Sequence, residues 1–299
     1  MRKAVIDLGT NTFHLLIADV GDDGALVEVY RERHFVKLGA EGVDTIGQAP
    51  FTRGLTTLRH FREVLNKYAV DRLQAIGTAA LRTASNGQAF VAAALAEAQI
   101  PIQLISGDEE ARLITKGVLR AIPPLQDRIL IMDIGGGSTE YIIADQAGVH
   151  WQQSFPVGVS VLYKAFHRSD PMGLTEMAEL EAHLEQVLAP LAATLQKYPT
   201  HHLVGAAGTF DVLAEVLRDP SAPDHPTSHA LTLADFPALF TQITKASLAE
   251  RLAMEGVPDV RADMIVVAML LLRYTFQLAG INQVTVSAYA LKEGAILVR

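Results

Sequence analysis

The sequence contains no cysteine and only one tryptophan in 299 residues. Without a thiol, a disulfide framework, a zinc-thiolate centre and a cysteine nucleophile are all excluded. Long apolar runs are missing too. The longest, residues 264–272, stops at Arg273 and is about half of a membrane span. At the amino end only Ala4, Val5 and Ile6 separate Met-Arg-Lys from Asp7. That run is too short for the apolar core of a secretory signal, so a cytoplasmic protein without a membrane partner is expected. Positive charge is scarce: 25 Lys and Arg face 33 Asp and Glu, a net charge of −8. A general nucleic-acid binder would carry a basic footprint, so no nucleic-acid partner is expected. A local cluster of donors could still hold a small or linear polyanion. Disorder is excluded, because 49% of the residues are hydrophobic and only 19% charged. At about 100–200 residues per domain, the length suggests two domains.

Strands and helices alternate along the chain. Residues 3–20 read as two strands around a Gly-Thr-Asn-Thr turn, and Asp22-Asp23-Gly24 closes a hairpin toward a third strand at 26–30. From Thr52 the period changes: Leu55, Leu58, Phe61, Leu65 and Tyr68 recur at threes and fours, the pattern of an amphipathic helix. Short strands at 73–77, 102–105 and 129–133 are separated by helices at 88–98 and 109–121, with Ser106 and Asp108 as good helix-start residues. A helix over 175–197 is expected to break or bend at Pro190, residues 218–229 to form a polar surface loop, and a last helix to begin near Tyr289. Ser247-Leu248-Ala249-Glu250 is a capping-box start. This alternation predicts an α/β protein with a largely parallel sheet.

An internal repeat carries more information. At a shift of 126 residues, Ile6-Asp7-Leu8-Gly9-Thr10-Asn11-Thr12 falls on Met132-Asp133-Ile134-Gly135-Gly136-Gly137-Ser138, and Ile17-Ala18-Asp19 on Ile143-Ala144-Asp145. At a shift of 128, Ile76-Gly77-Thr78-Ala79-Ala80 falls on Val204-Gly205-Ala206-Ala207-Gly208; a weaker match at 181 pairs Ile105-Ser106 with Val286-Ser287. Two copies of one module are implied, divided at Ile122-Pro123-Pro124, with extra helices between about 235 and 280 in the second. The lobes are expected at 1–122, with a helix at 288–299 packing back on the first, and at 123–287.

The chemistry concentrates at the repeated turns. In Asp133-Ile134-Gly135-Gly136-Gly137-Ser138-Thr139-Glu140 three glycines remove every Cβ, so a phosphate could lie against backbone N–H groups. Ser138 and Thr139 add hydroxyl donors, and Asp133 at a strand end could orient a hydrated divalent cation. A hairpin turn that merely needs glycine is the plainer alternative. Gly9, Thr10, Asn11 and Thr12 form the same device in the first copy. Facing loops of this kind imply the duplicated actin-like (ribonuclease H-like) ATPase fold, two lobes with a central cleft.

The segments MRKAVIDLGTNTFHLLI, IGTAALRTASN, LISGDEEARL, IMDIGGGSTE, VGAAGTF, VRADMI and VSAYALKEG, in this order, go further. From end to end they resemble the exopolyphosphatase/guanosine pentaphosphate phosphohydrolase family. The resemblance implies Mg²⁺-dependent removal of terminal phosphate from polyphosphate or guanosine pentaphosphate. Such hydrolysis needs an oriented water, a base and charge stabilisation around the transferred group. Glu109 and Glu110 open a helix about 100° apart, so only one can point squarely at a substrate. The resemblance selects Glu110 as the base, with Glu109 in reserve. Acidic residues in a first helical turn are also favoured by the helix dipole alone. The same resemblance implies Asp133 and Glu140 for Mg²⁺ and water positioning, with Asp7 nearby and a turn-stabilising role for Asp7 equally open. It matches Arg82 to a phosphate-contacting arginine, a residue whose planar guanidinium can hold two oxygens. Arg261 and Lys292 match basic positions, and Gly208 and Thr209 complete the second copy's phosphate-binding set. Two departures weaken this half: Ala207 stands where the family usually has glycine, and Val260 where an acidic residue is common.

Other readings stay open: an ATP-dependent small-molecule kinase of the same superfold, and a polyphosphate or nucleotide sensor without turnover. The chain lacks the helical extension of longer family members, which points to short polyphosphates or a nucleotide. Asp19 and Asp145 also repeat, both before turn residues, and are expected to be structural. His201, His202, His225 and His229 fit no standard metal spacing, and His14 is taken as a core histidine. The fully apolar 264–272 stripe suggests either core or a homodimer interface.

Overall fold

A computed structural model of the chain describes residues 1–21 and 24–298. The turn expected at Asp22-Asp23-Gly24 lies, Gly24 apart, outside the described residues. The Val- and Ile-rich start forms β1 (Arg2–Leu8) and β2 (Phe13–Val20), followed by β3 (Leu26–His34). The stripe at threes and fours becomes α1 (Gln48–Lys67), which buries Leu55, Leu58, Phe61 and Leu65. Then come β4 (Arg72–Gly77), α2 (Ala79–Thr83), α3 (Gly87–Ala98), β5 (Ile102–Leu104) and α4 (Gly107–Ala121). Ser106 starts α4 as expected: its hydroxyl accepts the Glu109 N–H at 3.2 Å and its carbonyl the Glu110 N–H at 2.9 Å.

The second half runs β6 (Ile129–Ile134), β7 (Thr139–Asp145), β8 (Gly148–Phe155), α5 (Val159–Phe166), α6 (Leu174–Val187), α7 (Ala189–Lys197), β9 (His202–Ala206) and α8 (Gly208–Leu217). It ends with β10 (Ser228–Leu231), α9 (Phe236–Lys245), α10 (Leu248–Leu252), α11 (Ile265–Ala279), β11 (Gln283–Ser287) and α12 (Leu291–Ile296). The expected 175–197 helix is two helices, because Pro190 has no N–H to continue the ladder and instead sits in the first turn of α7. The polar stretch 218–229 is not loop throughout: its end enters β10, an edge strand paired antiparallel with β11.

Two compact units result. The first is Met1–Gly117 with Gly135–Gly137 and Ala290–Arg299; the second is Val118–Ile134 with Ser138–Tyr289. The sheet of the first has the order β3-β2-β1-β4-β5, and that of the second β10-β11-β9-β6-β7-β8. Read from β8, the second sheet repeats the first strand for strand and adds β10. This is the duplicated actin-like fold. In both, the first three strands are antiparallel and the next two parallel.

The repeat extends to irregularities. β2 and β3 slip register between Ile17 and Ala18, and β7 and β8 between Ile143 and Ala144, the same shift of 126. The repeated aspartates pair with repeat-related arginines: Asp19 accepts from Nε and Nη2 of Arg2 at 3.0 and 2.9 Å, and Asp145 lies 3.8 Å from Arg128. Later strands correct the sequence reading. Asp7 sits beside Ile76 and Asp133 beside Ala206, so β4 maps onto β9 at a shift of 130 rather than 128. Ala75 beside Ile102 and Gly205 beside Val286 likewise set the last shift at 184 rather than 181.

Each unit has its own core. In the first, Phe13, Leu58, Phe61 and Phe90 pack between sheet and helices. In the second, residues Ile265 to Leu272 of α11 are all buried in the core. Burial of side chains of this size contributes roughly 1.5–3 kcal/mol each. The apolar stripe is therefore satisfied within the chain and offers no face to a second copy, which removes that argument for a homodimer. In the first unit α12 lies against α4 backbone to backbone. A Cβ on Gly117 would collide with the Ala290 carbonyl, and one on Gly294 with the Leu113 carbonyl. Lys3 Nζ adds bonds to the carbonyls of Ile296 and Val298 at 3.2 and 2.9 Å.

Candidate active site

The first unit gathers three groups of expected residues. The turn after β1 is closed by the Gly9 N–H donating to Thr12 O at 3.0 Å. Its outer carbonyls are also used: Asn11 O accepts from Lys37 N at 2.8 Å and Thr10 O from Gly39 N at 3.2 Å. Gly136 and Gly137 lie against this turn. A Cβ on Gly136 would stand 2.9 Å from the Thr10 Cβ and 2.8 Å from Asn11 Nδ2. One on Gly137 would stand 2.8 Å from both Ala79 Cβ and Thr10 Oγ1. These glycines are thus required by close packing of the protein on itself, a reason the sequence reading had not given.

Arg82 lies in the last turn of α2 and is not a solvated surface arginine. Its Nη1 donates to the Ile105 carbonyl at 2.7 Å and to Glu110 Oε2 at 3.3 Å. Glu110 is buried in the first turn of α4, whereas Glu109 is half exposed and turns to Arg112 on its own helix at 2.7 Å. The Arg112 hydrogen bond holds the Glu109 carboxyl below the usual carboxylate range. The pair that could not be separated by helix position is separated by environment.

Lys292, at the start of α12, pairs with the buried Glu293 at 3.3 Å, and Arg31 joins them at 3.0 Å. Burial pushes the Glu293 carboxyl up, but the Lys292 and Arg31 charges outweigh it and keep it below the usual range. Lys292 is therefore committed to a buried ion-pair cluster in this structure.

In the second unit, Asp133 and Glu140 stand directly opposite each other on β6 and β7, and both are buried. Glu140 Oε1 accepts from Ser138 Oγ and from Ser154 Oγ, each at 2.7 Å. Ser154, opposite Glu140 on β8, escaped the sequence reading, since only strand register could reveal it. Thr139 is fully buried and donates its hydroxyl to the Val157 carbonyl at 3.0 Å. Its side chain thus differs from the presented donor expected there. Like charges directly opposite on a sheet repel. Two buried carboxylates so placed are a hard-oxygen pair of the kind a divalent cation such as Mg²⁺ bridges.

At the start of α8 the Arg261 guanidinium lies where a Cβ on Gly208 would be, and its Nη2 reaches Asp211 Oδ2 at 3.3 Å. Thr209 beside it is buried. Ala207, just before the helix, has φ +65° and ψ 179°, a backbone region that favours glycine. Asp7, opposite His14 across β1 and β2, is half-buried at the end of its strand. Three of the histidines set aside meet protein partners: His201 the carbonyls of Ala279 and Gly280, His202 the Thr285 hydroxyl, and His225 Ser228. Among the described residues no helix is long and apolar enough to cross a membrane.

Residues 16–299 match the Ppx/GppA phosphatase family. The chain is 40% identical to a structurally characterised exopolyphosphatase from Cytophaga hutchinsonii ATCC 33406, with a TM-score of 0.92 over 98% of this chain and 96% of that one. It is 26% identical to the Aquifex aeolicus PPX-GPPA enzyme, with a TM-score of 0.80 over 99% of both. A Haemophilus influenzae protein named "Putative exopolyphosphatase" is 30% identical over 296 residues, which is 98% of this chain and 90% of that protein.

Proposed function

Since the chain belongs to the Ppx/GppA phosphatase family, we propose that it is a Mg²⁺-dependent exopolyphosphatase that cleaves the terminal phosphoanhydride of inorganic polyphosphate. In this reading residues 1–122 with 288–299, and residues 123–287, are the two lobes of the duplicated fold. A water oxygen attacks the terminal phosphorus, the anhydride P–O bond breaks, and its electrons leave on the shortened chain. Glu110 takes the proton of the attacking water. The observation that carries this role is its burial beside Arg82, which fixes one carboxylate oxygen and leaves Glu109 to Arg112.

Arg82 has a second function on substrate. Its planar guanidinium carries more donors than Ile105 and Glu110 occupy, and can also hold phosphate oxygens. Backbone N–H groups of Gly135, Gly136 and Gly137 and of the Gly9–Thr12 turn would line the anion. Asp133 and Glu140 would hold Mg²⁺, which when bound neutralises developing charge on the phosphate oxygens. Ser138 and Ser154 orient the Glu140 carboxylate for that task. Gly208, Thr209 and Arg261 are assigned to the rest of the polyanion.

Phosphate release from polyphosphates of graded length, with guanosine pentaphosphate as comparator, tests the reading. Glu110→Gln is expected to slow release by about 10³-fold while polyphosphate binding persists. Glu109→Gln should stay within about threefold, because its salt bridge is exposed. Wild-type protein that leaves every substrate intact in Mg²⁺, or a Glu110→Gln variant of undiminished rate, overturns it.

A further inference from the structure

A separate group of metal-ligating side chains lies on the sheet edge of the first unit. β3 places Tyr30, Glu32 and His34 on one face, since alternate residues of a strand share a side. α1 covers that face and brings down His60, whose neighbour Phe61 is fully buried. His34 Nε2 lies 2.6 Å from Glu32 Oε1, and His60 Nε2 lies 2.9 Å from the same oxygen. One donor atom from each of the three residues therefore falls within 4.8 Å of the others.

Surrounding groups hold the donors in place. Tyr30 Oη donates to the other carboxylate oxygen, Glu32 Oε2, at 2.8 Å. Burial first, and the Glu32 hydrogen bond second, push the Tyr30 phenol up to about 12, so it remains a proton donor to that oxygen. Burial pushes the Glu32 carboxyl up, but hydrogen bonds from His34, Tyr30 and His60 outweigh it and keep it below its ordinary value. The His34 ring meets the Phe61 ring edge-on at 5.4 Å between centroids, which fixes its plane. All three ligand residues remain partly exposed, so an ion has a path in.

The donors also select a metal. Two imidazole nitrogens and one carboxylate oxygen suit Zn²⁺ and its neighbours, whereas Mg²⁺ prefers oxygen throughout. In tetrahedral Zn²⁺ with bonds of about 2.0–2.1 Å, ligand atoms stand about 3.3 Å apart. The present 2.6 and 2.9 Å separations need open only slightly. The trio is not a by-product of the repeated hairpin. By ladder register, Tyr30, Glu32 and His34 correspond to Trp151, Gln153 and Phe155 of β8, which offer no such set.

We propose that Glu32, His34 and His60 form a Zn²⁺-class site, with water as the fourth ligand, that clips edge strand β3 to α1. Chelator-treated full-length protein, held in saturating Mg²⁺ to occupy oxygen sites, is titrated with Zn²⁺ by calorimetry. Wild type should bind one Zn²⁺ per chain at this site and gain thermal stability with it. His34→Ala and His60→Ala should each weaken binding by about 100-fold or more and lose that gain, whereas Tyr30→Phe, which keeps all three donors, should change it by about tenfold or less. Co²⁺ in wild type should give the intense visible absorption of a tetrahedral centre, lost in His60→Ala. Should His34→Ala fail to fold, His60→Ala and Glu32→Gln decide alone. No Zn²⁺ uptake, or uptake unchanged by these substitutions, overturns the proposal.

Discussion

The hairpins β1–β2 and β6–β7 share a backbone and differ in chemistry. Each has an Arg–Asp pair at its base, Arg2–Asp19 and Arg128–Asp145, and a register slip 126 residues apart. At the tips they part. The first sets Asp7 opposite His14, a pair that can attract, and the second sets Asp133 opposite Glu140, two groups of like charge. The first tip spends its glycine on its own turn, through Gly9. The second spends Gly136 and Gly137 on making room for Thr10, Asn11 and Ala79. Duplication preserved the frame, and on the proposed function the second copy's carboxylate pair is the one that would hold the metal.

The strongest way to break this comparison is to neutralise position-equivalent residues in the two hairpins. Glu140→Gln should slow Mg²⁺-dependent phosphate release by about 10²-fold or more, recovering in part at higher Mg²⁺, while His14→Gln stays within about threefold. Equal losses would mean that the hairpins had not specialised. Next in size is packing at the second tip. Gly137→Ala should lower stability in denaturant titrations by about 1–3 kcal/mol, because the Ala79 Cβ cannot swing aside.

Ala207→Gly should act in the opposite direction, raising stability by about 1 kcal/mol in the same titration, since its φ of +65° with extended ψ suits only glycine without cost. The smallest effect concerns the bases of the hairpins. The Arg2 hydrogen bond holds the Asp19 carboxyl low, and the His150 hydrogen bond does the same for Asp145. A depressed folded value means stability that is complete above the unfolded carboxylate value of about 3.9 and lost as pH falls through the folded one. Thermal unfolding followed below about pH 4 should therefore lose part of its acid slope in Asp19→Asn, and a similar part in Asp145→Asn.

The repeat was legible because the hairpin is local: its two strands and turn lie within one stretch, so one shift carried every paired residue. The next shifts were misread by two and three residues. Small residues in Gly77-Thr78-Ala79 and Ala206-Ala207-Gly208 align equally well at neighbouring offsets, and only pairing with β1 and β6 fixes the register. Glu110 was legible as one of two candidates, and what sets its environment apart from that of Glu109 is Arg82, a contact 28 positions away. The triple glycine was visible and its physical reason was not, because the atoms it makes room for come from residues 10, 11 and 79. Glu32, His34 and His60 escaped notice for a similar cause: a strand's face is readable, but the helix residue that descends onto it is not.

The crossing of α4 and α12 at Gly117 and Gly294 has a consequence for biosynthesis. The unit that opens at Met1 is closed by a segment beginning only at Ala290. Until that segment is made, Leu113, Gly117 and Lys3 lack these partners, while every residue of the other unit, Val118–Ile134 with Ser138–Tyr289, has already been made. Domains generally fold as units during synthesis, and here the first unit becomes complete only with the last-made segment of the chain.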